Sequence, residues 1–217
     1  MALKFELEGE LTCKVTGDGK FVAKKGVMVA YQGNYKFEKM LVGPNNGGSA
    51  LNGIFNQVVR KLTGENIPLM TVEGSGTIYL AENAAHITVI NLDNDEVCVE
   101  SENLLAFEEQ LKYDVRFVGV GMLSQKGMIT SVLKGTGKVI IKSDGNPIVI
   151  ESPCCVDPNA VVAWTGSRDP GIKVDATWKT FLGQTSGESY QLDFNFPGST
   201  VIVQPAERIG RPVTFVD

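Results

Sequence analysis

Val99-Glu100-Ser101-Glu102-Asn103-Leu104-Leu105-Ala106-Phe107 and Val156-Asp157-Pro158-Asn159-Ala160-Val161-Val162-Ala163-Trp164 align without a gap. Each runs Val, acid, two turn-like residues, a spacer, two aliphatics, Ala, aromatic. Val27-Met28-Val29-Ala30-Tyr31 supplies the same ending near the start of the chain. Upstream, Glu73-Gly74-Ser75-Gly76-Thr77-Ile78 parallels Lys134-Gly135-Thr136-Gly137-Lys138-Val139, and Glu8-Gly9-Glu10 reads as a degenerate first copy. Self-similarity at this spacing is the mark of an internal repeat. The copies divide the chain at about 4–66, 67–127 and 128–206, with a tail over 207–217. Units of that size bury too little apolar surface to stand alone. The expectation is therefore one compact body over 1–217, with three units around a pseudo-threefold axis.

Around these segments the pattern is mainly β. From Phe5 to Val15, Phe5, Leu7, Gly9, Leu11, Cys13 and Val15 alternate with Glu6, Glu8, Glu10, Thr12 and Lys14. Period two puts one face inside and one outside. Thr77–Leu80 with Ile87–Leu92, and Lys138–Lys142 with Ile148–Glu151, read as strand pairs across turns, the second turn carrying Asp144-Gly145. Leu51, Ile54, Phe55, Val58, Val59 and Leu62 instead follow the helical stripe. They predict one short amphipathic helix at about 49–63, with Ser49 as N-cap and Gly64 beyond its end.

Composition narrows the class of function. The chain has 217 residues, is 43% hydrophobic and 21% charged, and carries a net charge of −5. Phosphate-driven affinity needs several cations on one face, whereas here Lys and Arg are dispersed among a larger number of acids. Nucleic acid is not an expected partner. The start, with Glu6 and Glu8 where a signal peptide has its apolar core, predicts no targeting leader. No apolar run approaches the ~18 residues of a spanning helix, so no transmembrane segment is expected and a cytoplasmic location is. Cys13, Cys98, Cys154 and Cys155 form no metal or redox motif and read as plain thiols.

The search for chemistry returns no catalytic, cofactor-binding or metal-ligating residue. His86 is the single histidine, in a turn without a local nucleophile, and reads as a surface residue. Asp93-Asn94-Asp95-Glu96 lacks the spacing of a calcium loop and reads as a solvated turn. Val42-Gly43-Pro44-Asn45-Asn46-Gly47-Gly48-Ser49 precedes the predicted helix but lacks the lysine of a phosphate loop. Cys154-Cys155 predicts one thiol inward and one outward. Trp164 falls on a repeat position and belongs in the core; Trp178 serves either core or interface.

The Gly-x-Gly bends, the acid-Pro-x-x-Val-Val-Ala-Trp segment and the ending Gly187-Glu188 … Phe194-Asn195-Phe196-Pro197-Gly198-Ser199-Thr200-Val201-Ile202-Val203-Gln204-Pro205 resemble the altered-inheritance-of-mitochondria 24 family over about residues 5–206. The resemblance implies three tandem β-sandwich copies of a fold like that of the tryptophan RNA-binding attenuation protein. It also implies a link to membrane organisation, since mitochondrial relatives are implicated in that of the inner membrane. The family has no established catalytic or ligand-binding residues to carry over. The expected function is a non-enzymatic binding or scaffold protein with a protein partner, associating into a homo-oligomer through strand edges. The alternative is a small-molecule or nucleic-acid binder, by analogy of fold.

Overall fold

A computed structural model of the chain describes residues 3–40, 69–118, 128–173 and 190–208. The predicted helix at about 49–63, the loop 42–49 and Trp178 lie outside the described residues. Among those described, the chain is all strand, without a helix, and every strand pairing is antiparallel.

The alternation over Phe5–Val15 proves to be two strands. β1 (Lys4–Leu7) turns through Gly9, whose φ is +71°, and returns as β2 (Cys13–Lys24), pairing Phe5 with Val15. Period two holds along both arms, so the pattern alone does not mark the reversal. β3 (Met28–Lys39) follows, and β4 (Leu69–Leu80) inserts between β2 and β3, pairing with both along nearly its full length. Midway these strands approach too closely for side chains. A Cβ on Gly33 would strike the Ser75 carbonyl oxygen, and one on Gly76 the Gln32 carbonyl oxygen.

The same order recurs downstream. β5 (His86–Glu100), β6 (Leu104–Glu108) and β7 (Lys112–Val118) all pair with the long β8 (Met128–Ser143). Then come β9 (Ile148–Glu151), β10 (Cys154–Val156), β11 (Val161–Thr165), β12 (Gly171–Lys173), β13 (Gln191–Phe194) and β14 (Thr200–Val203). β9 and β11 flank β14, while β10 and β12 flank β13. The two strand pairs expected across the turns at 81–86 and 143–147 are not formed. β4 pairs with β2 and β3, and β9 with β14. A local turn signal reports a reversal of the chain, not which strand will be the neighbour.

Two junctions stitch these groups into one path, β3-β4-β2-β6-β8-β5-β11-β14-β9. In the first, Val22 faces Phe107 and Ala23 faces Ala106. In the second, Cys98 faces Trp164 and Val99 faces Ala163. A register irregularity precedes the Ala in three strands: between Met28 and Ala30, Leu104 and Ala106, and Val161 and Ala163. An extra residue on one strand sends two consecutive side chains to one face. Accordingly Leu105 and Ala106 join the core around Phe5, Phe21 and Ile78, while Leu104 and Phe107 join the next core, around Leu69, Leu133 and Val139. Val162 and Ala163 enter that second core, and Val161 and Trp164 enter a third, with Val156, Leu192 and Phe194.

Candidate functional site

The residues singled out for chemistry do not converge. His86 opens β5, half-buried, and its Nδ1 has no hydrogen-bond partner. The acidic turn Asp93–Glu96 is a bulge in β5, where Asp95 Oδ1 accepts the Glu96 amide at 2.7 Å. Glu96 is nearly buried and binds Arg116 at 3.0 Å and Lys134 at 3.5 Å; Arg116 also meets Asp169 at 3.2 Å. Trp164 is fully buried and donates its indole N–H to the Arg168 carbonyl at 3.0 Å. In β10, Cys154 packs against the third core while Cys155 is exposed between Lys173 and Asp193. Among the described residues, no group of three or more His, Cys, Asp or Glu is placed to hold a metal ion. No helix there is long and apolar enough to cross a membrane.

Two further ionic clusters, half-buried around Glu82 and Arg208, tie distant segments together. Glu82 accepts from Lys142 at 2.7 Å and Lys24 at 2.9 Å. Burial pushes its carboxyl up, but these two hydrogen bonds outweigh that and hold it below the usual value. The second cluster centres on Arg208, beyond the last strand. It donates to Asn103 Oδ1 at 2.7 Å and to the carbonyls of Val161 and Pro158 at 2.9 and 2.7 Å. Glu100 lies 3.5 Å away, its carboxyl pushed up by burial and restrained by the guanidinium. Arg208 thus fastens together the two acid-containing turns of the repeated segment. In the sequence it is one of the dispersed cations, because its side-chain partners lie 47 to 108 positions away. In both clusters the charged groups bond to one another, to an amide side chain and to backbone carbonyls.

What the molecule presents to solvent is strand edge. β3 and β9 end the strand path, each hydrogen-bonded on one side among the described residues. β3 exposes Val29 (59%), Tyr31 (46%) and Phe37 (36%), with Tyr35 and Phe37 packed against Tyr31. β9 exposes Ile148 and Val149. β10 ends the smaller sheet with Cys155 in solvent. Such edges offer unpaired backbone N–H and C=O groups to another strand. Sequence reading finds the segments but not the edges, since Val29-Ala30-Tyr31 looks like the buried Leu105-Ala106-Phe107.

Comparison with known proteins agrees with this architecture. Residues 5–206 match the family model described as mitochondrial biogenesis AIM24. A crystal structure of a Streptococcus pyogenes protein, solved by a structural genomics consortium, superposes with a TM-score of 0.66 at 17% identity. The alignment covers 95% of this chain and 94% of that one. No curated protein matches the sequence.

Proposed function

The chain belongs to the mitochondrial biogenesis AIM24 family, and from that premise we propose that it is a non-enzymatic, cytoplasmic scaffold whose free sheet edges take a protein partner. The supporting observation is the contrast between edge and interior. The polar clusters are internally satisfied, whereas β3 and β9 offer backbone and apolar side chains to solvent. The description of the family ties its members to mitochondrial biogenesis. On this reading the role of the present chain is to organise other proteins, in keeping with a link to membranes.

The scaffold is, on the same reading, three copies of one unit. Each unit has an outer strand and a bulged strand with a central element between them, the long β4 and β8 in the first two units and β13 followed by β14 in the third. On this reading the units span about 13–80, 86–143 and 148–203, a division supported by the pairing of β4 with both β2 and β3. The spacing from the outer strand to the bulged Ala supports this. Ala23 to Ala30, Val99 to Ala106 and Val156 to Ala163 are the same interval, and the bulge precedes each Ala. Three such units joined by two junctions leave the first and the last unit each with one open side among the described residues.

The test is affinity capture from the native cell with mass spectrometry, comparing wild type with Phe37→Lys and Val149→Lys. Both side chains are exposed, so each variant should keep the wild-type melting temperature. A protein recovered with wild type and lost with one variant is the expected result. Identical recovery from all three would refute edge binding.

A further inference from the structure

The equivalence of the three units carries a consequence for β3. In each junction that the chain makes, a bulged strand receives the outer strand of the preceding unit. β6 receives β2 and β11 receives β5. There the two residues after the bulge are buried in the core of the preceding unit: Leu105 and Ala106 in the first, Val162 and Ala163 in the second. The corresponding residues of β3, Val29 and Ala30, lie in solvent. Tyr31 is 46% exposed where Phe107 and Trp164 are 1% and 0%. On the other side, Cys155 corresponds to Val22 and Cys98. Those two are buried by Phe107 and Trp164, whereas Cys155 is exposed. Among the described residues, the third core, which holds Trp164 and Val156, accordingly has no aliphatic–Ala pair of the kind that a following unit brings to the other two.

The structure therefore holds both halves of a third junction, unjoined. Among the described residues, β3 has no outer strand beside it and β10 has no bulged one. We propose that β3 of one copy pairs with β10 of a second copy, continuing the two junctions already built inside the chain. The inference rests on the three-unit reading. The established registers fix the new one: antiparallel, with Ala30 facing Val156, Tyr31 facing Cys155 and Gln32 facing Cys154. Val29 and Ala30 then cover the third core of the partner, and Tyr31 is buried as Phe107 and Trp164 are. Each copy owns one edge of each kind, so two copies related by a twofold axis make the junction twice, β3 to β10 and β10 to β3, in one isologous interface.

The register is tested by the variant Tyr31→Cys in the full chain. The introduced thiol would face native Cys155 of the other copy, at the ~4.5–5.5 Å Cβ separation of facing residues. A short bismaleimide is added to the native protein, and the products are resolved on a denaturing gel and mapped by peptide mass spectrometry. A 31–155 link between chains, doubling the 23.4 kDa mass and abolished by adding Cys155→Ser, is expected. Light scattering of the unmodified protein should give the dimer mass, and Val29→Lys the monomer mass. A 31–155 link within one chain would show that the junction closes internally and would overturn the inference. So would the absence of a link, an equal yield from wild type, or a monomer mass at every concentration. Loss of this contact with edge-dependent capture intact would leave the scaffold reading standing.

Discussion

Ala106 and Ala163 are fully buried, while Ala30 is exposed, and replacing each by Leu separates them sharply. Ala106 sits between β2 and β8, and Ala163 between β5 and β14, with a core on either face. Leu adds three carbons. If they fitted, their burial would contribute roughly 2.4 kcal/mol at ~0.8 kcal/mol per methylene. Interiors are packed like organic crystals, however, so the added volume displaces neighbours into poor rotamers. The net cost is about 1–3 kcal/mol. For a chain of this size that lowers Tm by ~2–4 °C per kcal/mol. Ala106→Leu and Ala163→Leu should each melt several degrees below wild type, and Ala30→Leu within ~0.5 kcal/mol of it. The comparison uses circular dichroism at concentrations too low for copies to associate. Equal destabilisation at all three positions would mean that Ala30 is packed within the single chain. No effect at Ala106 or Ala163 would mean that the bulges do not bring two cores together.

Gly33→Ala should cost about 1–3 kcal/mol, because φ there is +122° and the new Cβ meets backbone of β4; a urea midpoint equal to that of wild type would contradict the close approach. Glu82→Gln should destabilise at pH 7. The folded pKa of Glu82 is lowered, so its contribution is present above the ordinary carboxylate value of 4.5 and is lost as pH falls through the folded value. The two proteins should converge in acid, and urea titrations at several pH values that stay parallel would exclude the ion cluster as the cause. Iodoacetamide should label Cys155 first and leave Cys13 and Cys98 unmodified until denaturant is added. Those two thiols are buried and pushed up to about 12 by desolvation; early labelling of either in native protein would refute their burial.

Residue order made the β class legible, because period two survives wherever one face is buried. It did not reveal the reversal after Leu7, since alternation continues on both sides of Gly9. Nor did it give neighbours. Asp144-Gly145 has the composition of a hairpin, yet the next strand leaves to pair with β14, a choice made by long-range packing. The likeness of Ala106-Phe107 and Ala163-Trp164 is visible in the sequence. The bulge ahead of each Ala was not, because an extra residue in a buried apolar run leaves no mark when all its neighbours are apolar too. Arg208 is illegible for a different reason: its partners are backbone carbonyls, an amide side chain and a carboxylate, all far along the chain, which no local motif encodes.

The bulge explains how short segments of sequence hold so large a sheet together. In a regular strand, alternate residues serve the two faces equally. In β6 the order is Leu104 to the second core, Leu105 and Ala106 to the first, and Phe107 to the second again. Five residues thus bind two cores, and small Ala beside a bulky aromatic lets the neighbouring outer strand lie close. That economy makes an unpaired copy costly. Natural edge strands are blunted by charge, and the far half of β3 has Lys36, Glu38 and Lys39. The near half, Val29-Ala30-Tyr31, has none, and it leaves apolar side chains and an open hydrogen-bonding edge in water together. Charge guards the half of β3 that has no counterpart in the junctions. The half equivalent to the junction strands is left bare, as a surface built to be covered would be.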